Sequence, residues 1–106
     1  MTRPVGQQGS WYARWDGDDI PCIHSHPTLL TKMHYKAPIW DSPERHREYF
    51  ENIQRLGKVI LTRSRLGDNG HYIREGYIAL FRVANLQLTD AGDIELDLAE
   101  RLQSFR

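Results

Sequence analysis

Residues 42–62 have the sequence SPERHREYFENIQRLGKVILT, in which a capped helix passes directly into an apolar strand. Asp41 or Ser42 can cap the helix, because a side-chain oxygen there accepts from backbone N–H groups of the first turn. Glycine commonly follows the last turn of a helix, so Gly57 marks its end. The segment therefore predicts a helix over 42–56. Its apolar stripe consists of His46, Tyr49, Phe50, Ile53 and Leu56.

Three further segments after the helix have strand-like patterns. Residues 58–62 are short, β-branched and apolar on both faces, as in a central strand. Residues 77–83 form a second apolar run, which we expect to pair antiparallel with the first. Residues 94–98 alternate apolar and acidic side chains, which predicts a strand with one face in solvent. Residues 98–105 shift to helical spacing, so a terminal helical turn is predicted to close the core.

The part of the chain before the helix predicts a hairpin and a long loop. Residues 10–16 and 19–25 are strand-like segments around an Asp-Gly dipeptide, which favours a tight hairpin turn. Pro21 has no backbone N–H, which restricts the second strand to an edge or to pairing at its start. Residues 27–41 have no clean period and predict a loop, and loops of this length are more often functional than accidental.

The order of these elements is strand, strand, long loop, helix and three strands, which predicts an α+β domain. We expect a strongly bent antiparallel sheet or a partly open β-barrel, with the helix at one end. The helix, the glycine that opens the next strand, and GYIALFRV at 76–83 resemble the PUA-like superfamily, particularly its EVE and ASCH members. The resemblance extends over residues 42–84 and consists of hydrophobic pattern and glycine placement. It implies a PUA-like barrel that sandwiches a flipped or modified base between aromatic side chains.

Composition predicts a single small globular domain. The chain has 106 residues, 40% of them hydrophobic, and we expect a flexible lead over 1–9 and one domain over 10–106. The single cysteine excludes an intrachain disulfide and favours a reducing compartment. No apolar run approaches the ~20 residues of a membrane span, and the start lacks the apolar core of a signal peptide. The expectation is a bacterial-type cytoplasmic protein with no cofactor and no membrane partner.

Charge is balanced overall but sorted along the chain. The sequence has 14 Lys and Arg against 14 Asp and Glu, which argues against a general polyanion binder. Residues 44–84 carry eight basic and five acidic side chains, whereas residues 85–106 carry five acidic and two basic ones. Either these segments attract each other in the fold, or the basic segment forms a local groove on a neutral protein.

The segment CIHSH, residues 22–26, carries the strongest chemical signal. Cys22, His24 and His26 alternate, so an extended strand turns them to one face. They are zinc-ligand types, but four residues of strand span about 13 Å, too far for the first and last to share one ion. At most the two histidines chelate, with a third ligand from His34, Asp18 or Asp19. The alternatives are a nucleophilic Cys22, or a small buried cysteine with histidines along a wet edge.

Aromatic and basic residues predict a ligand pocket beside these histidines. Trp11 and Trp15 are four apart, so an extended strand would place both indoles on one face. Tryptophans would stack on a base, histidines would hydrogen-bond its edge, and arginines at the end of the first central strand would hold phosphates. The predicted ligand-binding residues are Trp15, His24, His26, Trp40, Arg63 and Arg65. The alternative is that the indoles pack in the core and the guanidinium groups pair with carboxylates.

Three classes of function are consistent with these patterns. The favoured hypothesis is a non-catalytic module that recognises a nucleobase or short nucleic-acid segment between the hairpin, the 27–41 loop and the Arg63/Arg65 strand end. The second is a small hydrolase that uses His24 and His26, with or without zinc. The third is an interaction protein whose exposed edge strand pairs with a partner or with a second copy in a homodimer.

Overall fold

The computed structural model describes residues 5–6, 11–25, 30–31, 33–37, 42–68 and 72–105. Within these ranges one α-helix packs with a mixed β-sheet, which confirms the α+β class. The strands are β1 Val5–Gly6, β2 Tyr12–Trp15, β3 Asp18–His24, β4 Leu30–Thr31, β5 His34–Ala37, β6 Lys58–Leu66, β7 Tyr72–Leu88 and β8 Ile94–Ser104. The helix, α1 Pro43–Leu56, lies between β5 and β6 in the chain. The strand order in the sheet is β1-β2-β3-β6-β7-β8-β5-β4.

The helix forms where its caps and apolar stripe predict it. Ser42 has extended backbone, and its Oγ accepts from the N–H of Arg45 at 3.3 Å. Gly57 has a φ of +69°, a left-handed conformation that favours glycine, and its N–H donates to the carbonyl of Ile53 at 2.7 Å. No helix in the described ranges has the length and apolar character needed to cross a membrane.

The expectation of a wholly antiparallel sheet is wrong, because β3 and β6 are parallel. Their paired residues are Cys22 with Ile60, Ile23 with Leu61, and His24 with Thr62. A helix separates the two strands in the chain, and such a crossover is the usual way to join parallel neighbours. Pro21 therefore lies in an interior strand, paired with β2 on one side, and the ladder to β6 starts one residue later. Within the described residues, Pro21 pairs with Tyr12 of β2 and Ile23 pairs with Leu61 of β6.

Part of the predicted 27–41 loop is strand. β5 pairs antiparallel with β8, and β4 pairs with β5. Burial explains the docking of β5, since Tyr35 is only 1% exposed and packs in the core. One buried aromatic among polar neighbours is too short a pattern to predict a strand. Of the predicted N-terminal lead, Val5–Gly6 pairs with β2, and the other positions lie outside the described residues.

The predicted helical turn at 98–105 is wrong, because β8 continues as a strand to Ser104. Its register against β7 shifts at three places, and two of the shifts insert a residue in β8, which changes which of its side chains face the core. Leu98 and Phe105 are buried, whereas Leu102 is 47% exposed. The apparent helical spacing is therefore the pattern of an irregular strand.

Buried side chains form two clusters on the two faces of the central strands. The helix-side core includes Tyr49 and Ile53 of α1 together with Val59 and Leu61 of β6. The far-side core consists of Ala13, Ile20, Cys22, Ile60, Leu80 and Phe105, with Trp15, Leu56 and Tyr77 packed against it. Successive residues of β6 thus enter opposite clusters, which confirms that β6 is a central strand.

Candidate functional site

A cluster of polar side chains lies at the carboxyl end of the parallel pair. We call His24, Thr62 and Ser64 the β3/β6 polar cluster. The Nδ1 of His24 lies 2.7 Å from the Oγ of Ser64, and the Oγ1 of Thr62 lies 3.2 Å from the same oxygen. Thr62 is fully buried and His24 is 7% exposed, while Ser64 is half-buried. The parallel register creates the cluster, because it sets His24 directly beside Thr62.

The protons of this cluster allow two arrangements. Thr62 donates from Oγ1 to the carbonyl of Ile23 at 2.9 Å, so its hydroxyl can only accept from its neighbours. If His24 carries its proton on Nδ1, it donates to Ser64, which then donates to Thr62. If the proton is on Nε2, Ser64 donates to Nδ1, as in a serine poised for attack. The histidine tautomer therefore decides between a recognition site and a nucleophilic one.

No family model, curated protein or solved structure matches the chain. The chemistry of the site therefore follows from its own side chains. A buried imidazole hydrogen-bonded to a partly exposed hydroxyl can either present a fixed donor and acceptor to a ligand or transfer a proton.

An indole covers one side of the polar cluster. The ring of Trp11 stands edge-to-face against His24, with centroids 4.6 Å apart, and also contacts Tyr49 at 6.2 Å. Trp15 instead packs on the far-side core, 5.7 Å from the ring of Phe105. The prediction that both indoles share one face is wrong, since β2 starts at Tyr12 and Trp11 lies outside the strand. Trp11 thus occupies the position beside His24 that the sequence suggested for Trp15.

Three arginines lie close to this end of β6. Arg63 is exposed, and its side chain has no hydrogen-bond or ion-pair partner among the described residues. The Nε of Arg65 lies 3.1 Å from Glu75, the carboxylate pairing considered as its alternative. Arg74 is opposite Ser64 in the β6–β7 register, and its guanidinium lies over the ring of Tyr77 at 5.5 Å. Sequence reasoning did not assign Arg74 to the site, because only the hairpin register brings it there.

The interpretation of Cys22 as a buried apolar residue is confirmed. Its side chain is fully buried in the far-side core, and burial raises the pKa of its thiol to about 12 despite the nearby positive charge of Arg74. A thiol with that pKa is almost wholly protonated at neutral pH, which makes it a poor nucleophile. His24 is likewise buried rather than placed along a wet edge.

The other predicted site residues are dispersed or undescribed. His26 and Trp40 lie outside the described residues. Across the described part of the chain, no three His, Cys, Asp or Glu side chains are arranged to hold a metal ion. Two of the suggested third ligands pair elsewhere, His34 with carboxylates of β8 and Asp19 with Arg14 at 3.6 Å. The basic segment 44–84 and the acidic segment 85–106 meet in the described residues where Arg82 pairs with Glu100 at 3.2 Å.

Proposed function

We propose that the carboxyl end of β3 and β6 binds a ligand containing a nucleobase and phosphate, so that the protein acts as a non-catalytic recognition module. The observation that carries the proposal is the fixed His24–Ser64 hydrogen bond, 2.7 Å long. The exposed Arg63 precedes Ser64 on β6 and projects from the other face of that strand. The cluster would read the polar edge of a base, and Arg63 would contact phosphate. Trp11 supplies aromatic surface beside them.

The PUA-like architecture belongs to the same proposal. Its support is the helix-to-strand pattern of residues 42–84 together with a mixed sheet that packs its helix on one face. Under this proposal the sheet corresponds to a partly open barrel. The ligand would then lie where the pairing of β3 with β6 ends, because the polar side chains of His24, Thr62 and Ser64 converge there.

Binding of single-stranded oligonucleotides at low salt tests this function. We expect Arg63→Ala to weaken binding several-fold and to reduce the slope of log affinity against log salt by about 1, since one phosphate contact is lost. Fluorescence anisotropy of a labelled oligonucleotide measures both quantities. Arg101→Ala is the matched control, because that arginine is also exposed on a strand but lies on β8. The proposal would be contradicted if the protein bound no oligonucleotide, or if both variants lost affinity to the same extent.

The same hydrogen bond favours a second candidate, a serine hydrolase. In the Nε2–H tautomer Ser64 would attack an electrophilic centre while its proton passes to Nδ1 of His24. A fluorophosphonate probe tests this step, since attack at phosphorus forms a Ser64–phosphorus bond and expels fluoride. Mass spectrometry should then locate one adduct on Ser64, lost in Ser64→Ala and His24→Gln but retained in Ser104→Ala. An unmodified protein after prolonged incubation would exclude the hydrolase and leave the recognition module.

A further inference from the structure

His34 lies between two carboxylates of the neighbouring strand. Its Nδ1 is 2.7 Å from Asp97 Oδ1, and its Nε2 is 3.0 Å from Glu95 Oε1. An ionised carboxylate has no proton to donate, so each of these hydrogen bonds requires a proton on the ring nitrogen. The geometry therefore corresponds to the doubly protonated, positively charged imidazolium. Both bonds connect β5 to β8.

A neighbouring amide holds the carboxylate of Asp97 in place. The second oxygen of Asp97 accepts from Asn85 Nδ2 of β7 at 2.8 Å. Lys36, the other cation of β5, pairs with Asp93 at 3.2 Å, so it does not compete for the carboxylates around His34. The hydrogen bond to Asp97 is the main cause that raises the pKa of His34. The pKa of Asp97 is lowered mainly by the hydrogen bond from Asn85 and, to a smaller extent, by the hydrogen bond from His34.

We propose that His34 is a pH-sensitive clasp that attaches β5 to β8. Loss of one imidazole proton removes a donor and turns a nitrogen lone pair toward a carboxylate, so an attraction becomes a repulsion. In the described part of the sheet, β5 has only β8 and the short β4 as neighbours. Because β4 has only 2 residues, β8 is the one long strand that holds β5 in this part of the sheet, and a single side-chain contact to β8 has a large effect on that attachment. This inference is independent of the proposed function.

The direction of the pH dependence follows from the two pKa shifts. His34 has a folded-state pKa above its ordinary 6.5. Its contribution to the stability of the folded state is therefore complete below pH 6.5 and is lost as the pH rises through the folded-state pKa. Asp97 has a folded-state pKa below its ordinary 3.8. Its contribution to the stability of the folded state is therefore complete above pH 3.8 and is lost as the pH falls through the folded-state pKa. The clasp is therefore strongest at mildly acidic pH and opens toward alkaline pH.

NMR titration and amide exchange of the full chain test the clasp. His34 should titrate above 6.5, and its pKa should fall in Asp97→Asn and, to a smaller extent, in Glu95→Gln. The N–H of Leu98 donates to the carbonyl of Met33 at 2.8 Å and reports on the β5–β8 contact. After correction for the intrinsic exchange rate, the protection of the Leu98 N–H against hydrogen exchange should decrease about two- to fivefold between about pH 6 and 8. This is the size expected for the loss of a partly exposed ion pair.

Two controls separate the clasp from general effects of pH. The N–H of Phe105 donates to the carbonyl of Ile78 at 2.9 Å, far from His34 along β8, and its protection should stay constant over the same range. Glu100→Gln removes a carboxylate of β8 that pairs with Arg82, and it should leave the His34 titration unchanged. A His34 pKa at or below 6.5, or Leu98 protection that does not vary with pH, would overturn the proposal.

Discussion

Replacing Ile53 with alanine is expected to destabilise the folded protein by about 2–5 kcal/mol, the usual range for truncating a fully buried aliphatic side chain. Ile53 is completely buried in the helix-side core, in the same cluster as Ile23 of β3 and Val59 of β6. The substitution removes transfer free energy and leaves a cavity between the helix and the sheet. Alanine retains the backbone carbonyl that accepts from the N–H of Gly57, so the stability is lost through packing alone.

Urea unfolding followed by circular dichroism measures this change in free energy. Gln54→Ala is the matched control, because Gln54 is the next residue of α1 and is exposed. Surface substitutions of this kind usually change stability by less than about 0.5 kcal/mol. Equal effects of the two substitutions would show that α1 does not pack on the sheet through Ile53.

Elements with local signals could be predicted from the sequence. The helix boundaries followed from Ser42 and Gly57, whose backbone requirements are confined to adjacent residues. The hairpin between β2 and β3 is similarly local, since Asp16 and Gly17 have φ values of +52° and +83°, as its two-residue turn requires. The side chains of β6 enter the two core clusters alternately, and the sequence indicates this because residues 58–62 are apolar on both faces of the strand.

Elements that depend on distant partners could not be predicted. The parallel pairing of β3 with β6 joins residues about forty positions apart, as in the hydrogen bond from His24 to Ser64. The pairing of β5 with β8 depends on the burial of Tyr35, which the surrounding polar residues obscure. Register shifts between β7 and β8 changed the faces of the terminal strand, and Asn85 has a φ of +53° within one of them.

The candidate site shows the same division between local and distant information. His24 was selected from the sequence because it alternates with Cys22 and His26 in a short apolar run, and the structure places it in the β3/β6 polar cluster. Thr62 and Ser64 were missed, although two hydroxyl residues at alternate positions after an apolar run are a recognisable pattern. Arg74 had no comparable signal, because its position depends on the β6–β7 register.

Alkylation of Cys22 is expected to be slower by more than about tenfold in the folded protein than in the unfolded chain. Burial raises the pKa of the thiol from 9.0 to about 12, which reduces the thiolate fraction about a thousandfold. The greater nucleophilicity of a more basic thiolate offsets only part of that reduction. The chain contains one cysteine, so the mass shift after treatment with iodoacetamide reports on Cys22 alone. The time course in native buffer near pH 8 gives the rate.

The same protein in concentrated urea is the control, and it should react at the rate of an ordinary thiol. Slow labelling in native buffer that accelerates with urea would show that Cys22 reacts only when the far-side core opens. Fast labelling without urea would contradict the buried position and reinstate a thiol nucleophile two residues from His24. Because a protonated, buried thiol cannot attack, the hydroxyl of Ser64 is the nucleophile that the hydrolase candidate requires, and the fluorophosphonate experiment tests it directly.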